Sequence, residues 1–421
     1  MPSVGSVIFK TVQRTGSFLD RVVNDSPLGD PKFEGDQYSQ YARLLAKGPL
    51  IRSYVAGGWS LLSFQAVHEA MHDLRFSSDV FQNPTINRMS RFAIRGNSSL
   101  LDNPMLVSID PPEHSRLRKL ARQGFLHKFV QSLEPQIRRI TDECLTNVQD
   151  RGQFDLIATL ARPLPANLIS HILGIELDER EPFKRLSEAF LRNSFVIDFD
   201  SMGRADAAFR DMLDFVQIAV DKKRSKPGDD LISNLITAEE DGDRLSAQEV
   251  TRTAVLLMFA GYETTMRLIG NAVYLLLRHP DQMQYLREHP GLLPNVIEEV
   301  LRFEPPLQFV TRTASQDMEF HGKRIRKDQF LTLIIASANR DPAANENPHV
   351  FDIHRQEIKH IAFGNGIHLC LGAELARLES SIALEMLLER FPRMELHTQP
   401  RWEPGFWIRG LEELTLDTTA T

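Results

Sequence analysis

Cysteine is nearly absent from this 421-residue chain, which has only Cys144 and Cys370. Two thiols so far apart exclude a disulfide scaffold and fit a reducing compartment. No run of 18 apolar residues occurs, so no segment is built to span a membrane as a helix. Positive charge is not in excess either. The 49 basic side chains stand against 56 acidic ones, net −7, which argues against a general nucleic-acid binder because phosphate is held by clustered Lys and Arg. A local basic face is left open by that balance. Internal repeats, low-complexity tracts and long Gly/Ser linkers are also missing, so the chain reads as one integrated domain rather than several tethered ones.

What is present, 42% hydrophobic and 25% charged residues, is the composition of a globular protein with a large core. The main domain is read as 36–421 and the N-terminal segment as 1–35. That segment, "VIFKTVQRTGSFLDRVV", is too interrupted by charge for a signal peptide, so a cytoplasmic protein is expected. Its apolar residues Val4, Ile8, Val12, Phe18, Leu19 and Val22 can line one face of a helix, either packed on the body or resting on a membrane surface.

"LIRSYVAGGWSLLSF" (50–64) predicts a hairpin about Gly57-Gly58, and 80–105, rich in Asn, Pro, Ser and Gly, predicts a long irregular excursion. From 113 to about 225 the spacing is mostly helical. The longest periodic run opens on Ser246 and Glu249, a capping-box pair, and stops at His279-Pro280. At about 1.5 Å per residue it crosses a whole domain. Its "AVLLMFAG" is apolar all round, which predicts a buried central helix. A helix over about 292–303, a β-rich patch over 306–336 and a last helix after Cys370 complete a fold that is mainly α with small β-sheets.

Cys144, inside "ITDECLTNV", reads as a small buried hydrophobe. Cys370 sits in "FGNGIHLCLG" (363–372), where glycines permit a tight turn and a helix start follows. A helix N-terminus favours a thiolate, so Cys370 is a candidate metal ligand or nucleophile. Zinc needs more ligands than His368 and Cys370 supply, a cysteine nucleophile needs a base and an orienting group, and C-x-x-C-H is absent. A single thiolate can also be the axial ligand of a haem iron.

Phe363 to Gly372, followed by Leu375-Ala376-Arg377, resembles the haem-binding signature of the cytochrome P450 family. The resemblance runs from about residue 40 to the C-terminus and includes "RFSSD" (75–79) and "ANRDP" (338–342). It implies a single-domain fold with the long helix lying over a haem b (iron protoporphyrin IX), Cys370 as the iron ligand, and Phe363, Gly364 and Gly372 shaping the loop around it. Ala260-Gly261-Tyr262-Glu263-Thr264-Thr265 resembles the family's acid–alcohol segment. It implies room for dioxygen at Gly261 and proton delivery through Glu263 and Thr264, so that oxygen is cleaved rather than lost as peroxide. Arg267, three residues on, departs from relatives, which commonly carry a smaller polar residue there.

Glu299 and Arg302 in "EEVLR", with Arg355, resemble the family's E-x-x-R network, a structural device. His114 and Arg118, one turn apart, together with Arg312 and His368, match positions that hold the haem propionates, and Arg and His suit carboxylates. Arg116, Lys119 and Arg122 are read either as a plain solvated face or as a basic patch that steers an acidic electron donor. The implied substrate pocket takes in Phe259, Ala260, Leu307, Phe309, Val310, Phe406 and Trp407, with the 80–105 excursion and the stretch Phe190 to Met202.

The function implied is that of a haem-thiolate monooxygenase of a hydrophobic small molecule. Its electrons would come from NAD(P)H through a separate ferredoxin or flavodoxin and its reductase. A peroxide-driven oxidase or rearrangement enzyme is the alternative within enzymes, and a haem-based binding or sensor protein the alternative outside them.

Overall fold

In the computed structural model, the described residues are 36–53, 57–94, 98–125, 127–176, 179, 181–182, 185–186, 189–190, 199–240, 242–403 and 407–419. The N-terminal segment 1–35, Phe406 and the stretch 191–198 lie outside them. We label the elements that position the site. The helices are α1 (Phe64–His72), α2 (Glu113–Gln123), α3 (Glu134–Thr146), α4 (Pro163–Ile172), α5 (Phe199–Ser225), α6 (Ala247–Arg278), α7 (Leu293–Phe303) and α8 (Ala373–Arg390). The strands are β1 (Leu50–Ser53), β2 (Gly58–Leu61), β3 (Phe76–Ser77), β4 (Val310–Ala314), β5 (Phe330–Leu333), β6 (Arg393–Leu396), β7 (Arg401–Trp402), β8 (Leu411–Glu413) and β9 (Thr415–Thr419).

The central helix α6 begins where its capping box places it. Ser246 Oγ accepts from the Glu249 amide at 3.3 Å while Glu249 Oε2 accepts from the Ser246 amide at 2.7 Å, so two amide donors of the first turn are satisfied reciprocally. The helix ends at His279, and Pro280 opens the next one. Between these ends α4, α5, α7 and α8 pack around it. That enclosure is why its sequence is apolar on every side. The largest apolar cluster surrounds it and includes Cys144 on α3, a buried filler as expected.

Strands β1 to β5 form one sheet in the order β1-β2-β5-β4-β3. β2 and β5 are parallel, and the other neighbours are antiparallel. The hairpin expected about Gly57-Gly58 is β1–β2, with Leu50 opposite Leu61. Leu331 and Leu333 turn inward from β5 onto a second cluster that also holds α1 residues. At the C-terminus β9 pairs with β6 and with Gln153–Asp155, and β7 pairs with β8 as a hairpin. The excursion expected over 80–105 is helical over Pro84–Ile94 and again over Ser99–Asp102. The Ser98 hydroxyl caps the shorter piece, and Asn83 Oδ1 accepts from the Ile86 amide, so the polar residues that suggested a loop are caps.

The segment leading to Cys370 has little regular structure, and a buried ion pair holds it. Glu299 and Arg302 on α7 are fully buried and share two 2.7 Å bonds. Arg302 then donates to the carbonyls of Pro348 and Val350, and Glu299 accepts from the Asp352 amide and from Arg355. Arg355 in turn binds the carbonyls of Glu346, Asn347 and Val350. Three charges thus satisfy the backbone of a chain segment that no sheet ladder could satisfy.

Two outcomes follow from buried charge in this frame. Glu299→Ala leaves Arg302 buried and uncompensated, and is expected to cost about 3–5 kcal/mol, read as a lower urea midpoint at unchanged slope. A loss under about 1 kcal/mol would show that the pair is dispensable. Glu379 on α8 is nearly inaccessible, and burial pushes its carboxyl up to about 8. A carboxyl raised on folding adds stability that is fully present below its unfolded value and is lost as pH rises through about 8, at roughly 1.4 kcal/mol per pH unit in between. The isosteric Glu379→Gln is expected to melt more evenly across pH and to outlast the parent protein under alkaline conditions. Parallel melting curves at every pH would refute this.

Candidate active site

The cysteine loop is pressed against α1. Gly366 has φ +65°, and a Cβ there would lie 2.4 Å from the Met71 carbonyl oxygen, so the approach requires glycine on both counts. Gly364 turns the chain at φ +73°, and the Cys370 amide donates back to the Phe363 carbonyl at 2.8 Å. Asn365 Oδ1 caps the short turn Gly366–His368 through the Gly366 amide. Phe363 lies under the Arg377 guanidinium, 4.5 Å from ring centroid to Cζ.

Cys370 has accessible surface, yet burial pushes its thiol up, against the opposing pull of the Gly372 amide, Arg118 and Arg377. The thiolate expected from the helix start is therefore not secured by the chain alone, because desolvation outweighs the helix terminus. A cation on the sulfur would reverse that balance.

Four residues from three parts of the chain gather around the loop. His114 on α2 is buried, and neither ring nitrogen has a partner. Its ring centroid is 4.2 Å from that of His368, whose Nε2 meets Ser78 Oγ at 2.8 Å. Burial first, and then His114, Arg312 and Arg118, push His368 down to about 3. Arg312 on β4 is buried with a bond to the Thr311 carbonyl, and burial pushes it down to about 10, partly offset by Asp110. Arg118 donates to the Leu369 carbonyl, and burial lowers it too. Asp110 is itself engaged by Ser77 and Ser78. Two guanidiniums and two imidazoles with this little counter-charge make an anion site, since buried cations are stable only when paired. The donor set fits the carboxylate edge of a haem, and Cys370 fits its iron.

At the middle of α6, Ala260 is exposed although the helix runs through the core. A Cβ on Gly261 would meet nothing closer than Ile169 Cδ1 at 3.9 Å. Thr264 Oγ1 donates to the Ala260 carbonyl at 2.7 Å. Glu263 does not turn toward Thr264. It pairs with Arg267 one turn on, through Nε at 2.9 Å and through Nη2, and Arg267 also reaches Glu403 and the Leu411 carbonyl. The residue that departs from relatives is thus buried and holds the candidate acid.

The expected pocket residues divide. Phe259 packs on Phe190 at 5.1 Å, and Leu307 and Val310 are half-buried at the sheet. Phe309 and Trp407 instead stack on each other at 5.6 Å in a separate cluster with Tyr38 and Tyr41. For Arg116 the structure favours neither open alternative. It binds Glu249 and Asp243, so it ties α2 to the start of α6 and is not part of an open basic patch.

Sequence reasoning missed Glu298. It accepts from Arg377 at 2.5 Å and meets His360 at 2.9 Å, and these bonds hold its carboxyl down at about 2 against burial, which works to raise it. Its partner Arg377, in the quoted "LAR", was the available signal. Glu403 was missed as well, since nothing local marks it.

The family model for Cytochrome P450 matches residues 61–405. Cytochrome P450 107B1 of Saccharopolyspora erythraea is 38% identical over 394 residues, 91% of this chain and 96% of that protein. The 6-deoxyerythronolide B hydroxylase of the same organism is 36% identical, over 92% of this chain and 97% of that one. Among solved structures, P450BioI in complex with hexadec-9Z-enoic acid ligated acyl carrier protein matches with a TM-score of 0.83 at 33% identity, covering 91% of this chain and 98% of that chain. With the thiol loop, the anion site and the open helix already in place, these matches show that the chain belongs to the cytochrome P450 family, as a haem- and dioxygen-using monooxygenase.

Proposed function

We propose that this chain hydroxylates a hydrophobic small molecule in the cleft between α6 and the cysteine loop. The observation that carries the reading is the combination of an accessible but desolvated Cys370 with the partnerless His114 and the buried Arg312 beside it. In this reading Cys370 holds the iron, and His114, Arg118, Arg312 and His368 hold the propionates. Phe363, Gly364 and Gly372 shape the thiol loop. When bound there, the haem supplies dioxygen activation by a thiolate-ligated iron.

The chain's own residues supply the rest. Gly261 leaves space beside the helix for dioxygen, and Thr264 presents a hydroxyl at that opening. Glu263 hands protons to it. Phe259, Ala260, Leu307 and Val310 exclude water and receive the apolar substrate. Support for the substrate class comes from relatives, one named for hydroxylating 6-deoxyerythronolide B and one solved with a sixteen-carbon acid on its carrier protein. A macrolide-like or long-chain acyl compound is therefore the first class to screen, with steroids and terpenoids behind it.

Residues 36–421 act as the catalytic unit in this reading, with 1–35 as an N-terminal segment. Electrons arrive from NAD(P)H through a ferredoxin or flavodoxin and its reductase. Lys119 and Arg122, exposed on the helix that carries His114, favour an acidic donor. A cytoplasmic location fits two cysteines that form no disulfide; among the described residues no helix is long and apolar enough to cross a membrane.

Two variants test this. Cys370→Ser is expected to lose the strongly red-shifted Soret band of the reduced, carbon monoxide-treated protein while its far-UV dichroism stays native. Thr264→Ala is expected to keep that band and to divert most reducing equivalents to peroxide. A Cys370→Ser protein with the parent spectrum would remove the ligand assignment, and unchanged coupling in Thr264→Ala would remove the role of the hydroxyl.

A further inference from the structure

Arg267 is enclosed, with a side chain only 5% exposed, and its guanidinium serves two carboxylates. Glu263 lies on the same helix, 13% exposed, and Glu403 on the chain leaving β7, 41% exposed. Nη2 is the shared donor, since it bonds Glu263 and also reaches Glu403 Oε2 at 3.1 Å. Nη1 is anchored separately, donating to the Leu411 carbonyl at 2.7 Å. The β7–β8 hairpin closes over the arginine stem at Gly410, where a Cβ would come within 2.1 Å of Arg267 Cδ. The other charged groups of the hairpin are engaged elsewhere, Arg401 with Glu412 and Glu413, and Arg409 with Glu304. Arg162, before α4, and Asp155, bound to the Ile157, Ala158 and Leu414 amides, flank the turn that packs on α6.

One guanidinium against two carboxylates leaves an excess negative charge in a half-enclosed place. Were Glu263 and Arg267 alone, parting them would strand a buried charge, and Glu263 would stay locked away from Thr264. Glu403 changes that balance. It offers the guanidinium a second carboxylate without disturbing the anchor on Leu411, so the pair can open at little net loss.

We infer that Glu403 is a positioning residue for proton delivery, which competes for Arg267 and thereby releases Glu263 to carry a proton toward Thr264. The inference rests on the proposed Glu263–Thr264 relay. When the guanidinium closes on Glu403, the freed Glu263 carboxylate takes one proton from a hydronium ion of the solvent, leaving water. It gives that proton to the Thr264 oxygen as the hydroxyl releases its own into the cleft, and the ionised Glu263 then regains Arg267. One proton crosses per cycle and no electrons move.

The test uses the full-length holoenzyme and the variants Glu263→Gln, Glu403→Gln, the double variant and Glu403→Asp. The first readout is stability, as a double-mutant cycle in urea. Either single variant leaves Arg267 one carboxylate, while the double variant leaves none, so the loss in the double variant is expected to exceed the sum of the singles. The second readout is chemistry. Glu403→Gln is expected to raise peroxide per reducing equivalent by about threefold or more, well inside the ~100-fold that loss of an acid–base group can cause. It should also enlarge the solvent deuterium isotope effect on product formation, which a purely structural role would not move, and Glu403→Asp should restore both.

Additive stabilities, or parent-like peroxide and isotope effect in Glu403→Gln, would each overturn the inference while leaving the relay standing if Glu263→Gln still uncouples. If Glu263→Gln leaves coupling unchanged, the relay itself falls and the inference with it.

Discussion

The buried pair of Glu299 and Arg302 is the interaction on which the rest of the site depends. The stretch from Asn339 to Arg355 has to run through the interior without a sheet to receive its carbonyls, and peptide groups left unpaired there would be costly. Arg302 and Arg355 supply the donors, and Glu299 balances their charge. An apolar pair of equal volume would fill the space as well or better. It could not bind the carbonyls of Pro348 and Val350, so it could not hold this irregular chain in the path that delivers the glycine loop to α1.

A second principle separates frame from site. Apart from Glu379, which burial favours in its neutral form, the buried acids named in the frame are paired within the chain: Glu299 with Arg302 and Arg355, Glu298 with Arg377 and His360, Glu304 with Arg409. At the anion site the pairing is incomplete, with both His114 ring nitrogens lacking a hydrogen-bond partner and Arg312 engaged with a neighbouring carbonyl. The electrostatic consequence is visible in His368, which burial and its cationic neighbours drive far toward the neutral form. A dianionic edge placed there would remove the very repulsion that now disfavours the charged ring. Deficit of this kind is what a binding site for a charged group looks like before the group is counted.

How much of this was legible in the sequence depends on whether the signal was local. The capping box of Ser246 and Glu249, the stop at His279-Pro280 and the tight turns at Gly364 and Gly366 are all decided within a few residues, and the helix and loop lie where those signals put them. Family pattern added the distant members His114, Arg312 and Arg355, which spacing alone could never have joined to Cys370. Three features escaped. The helix at Pro84–Ile94 was read as loop because Asn83 and Ser98 resemble turn formers, although they act as caps. Glu403 and Glu298 were invisible because their partners lie 136 and 79 residues away in sequence.

Arg267 shows why the last kind of feature matters most for chemistry. On a helix, an acid and an arginine four residues apart form an ordinary pair, worth a few tenths of a kcal/mol when exposed. Enclosure by Gly410 and the Leu411 carbonyl removes the water that makes such a pair weak, and the same helix turn then becomes a lock on the proposed acid, Glu263. A lock of that strength suits catalysis only if something nearby can take the arginine in exchange. The C-terminal hairpin brings Glu403 to that position, so in the proposed relay the element that looks most peripheral in the chain order sets how readily Glu263 can act.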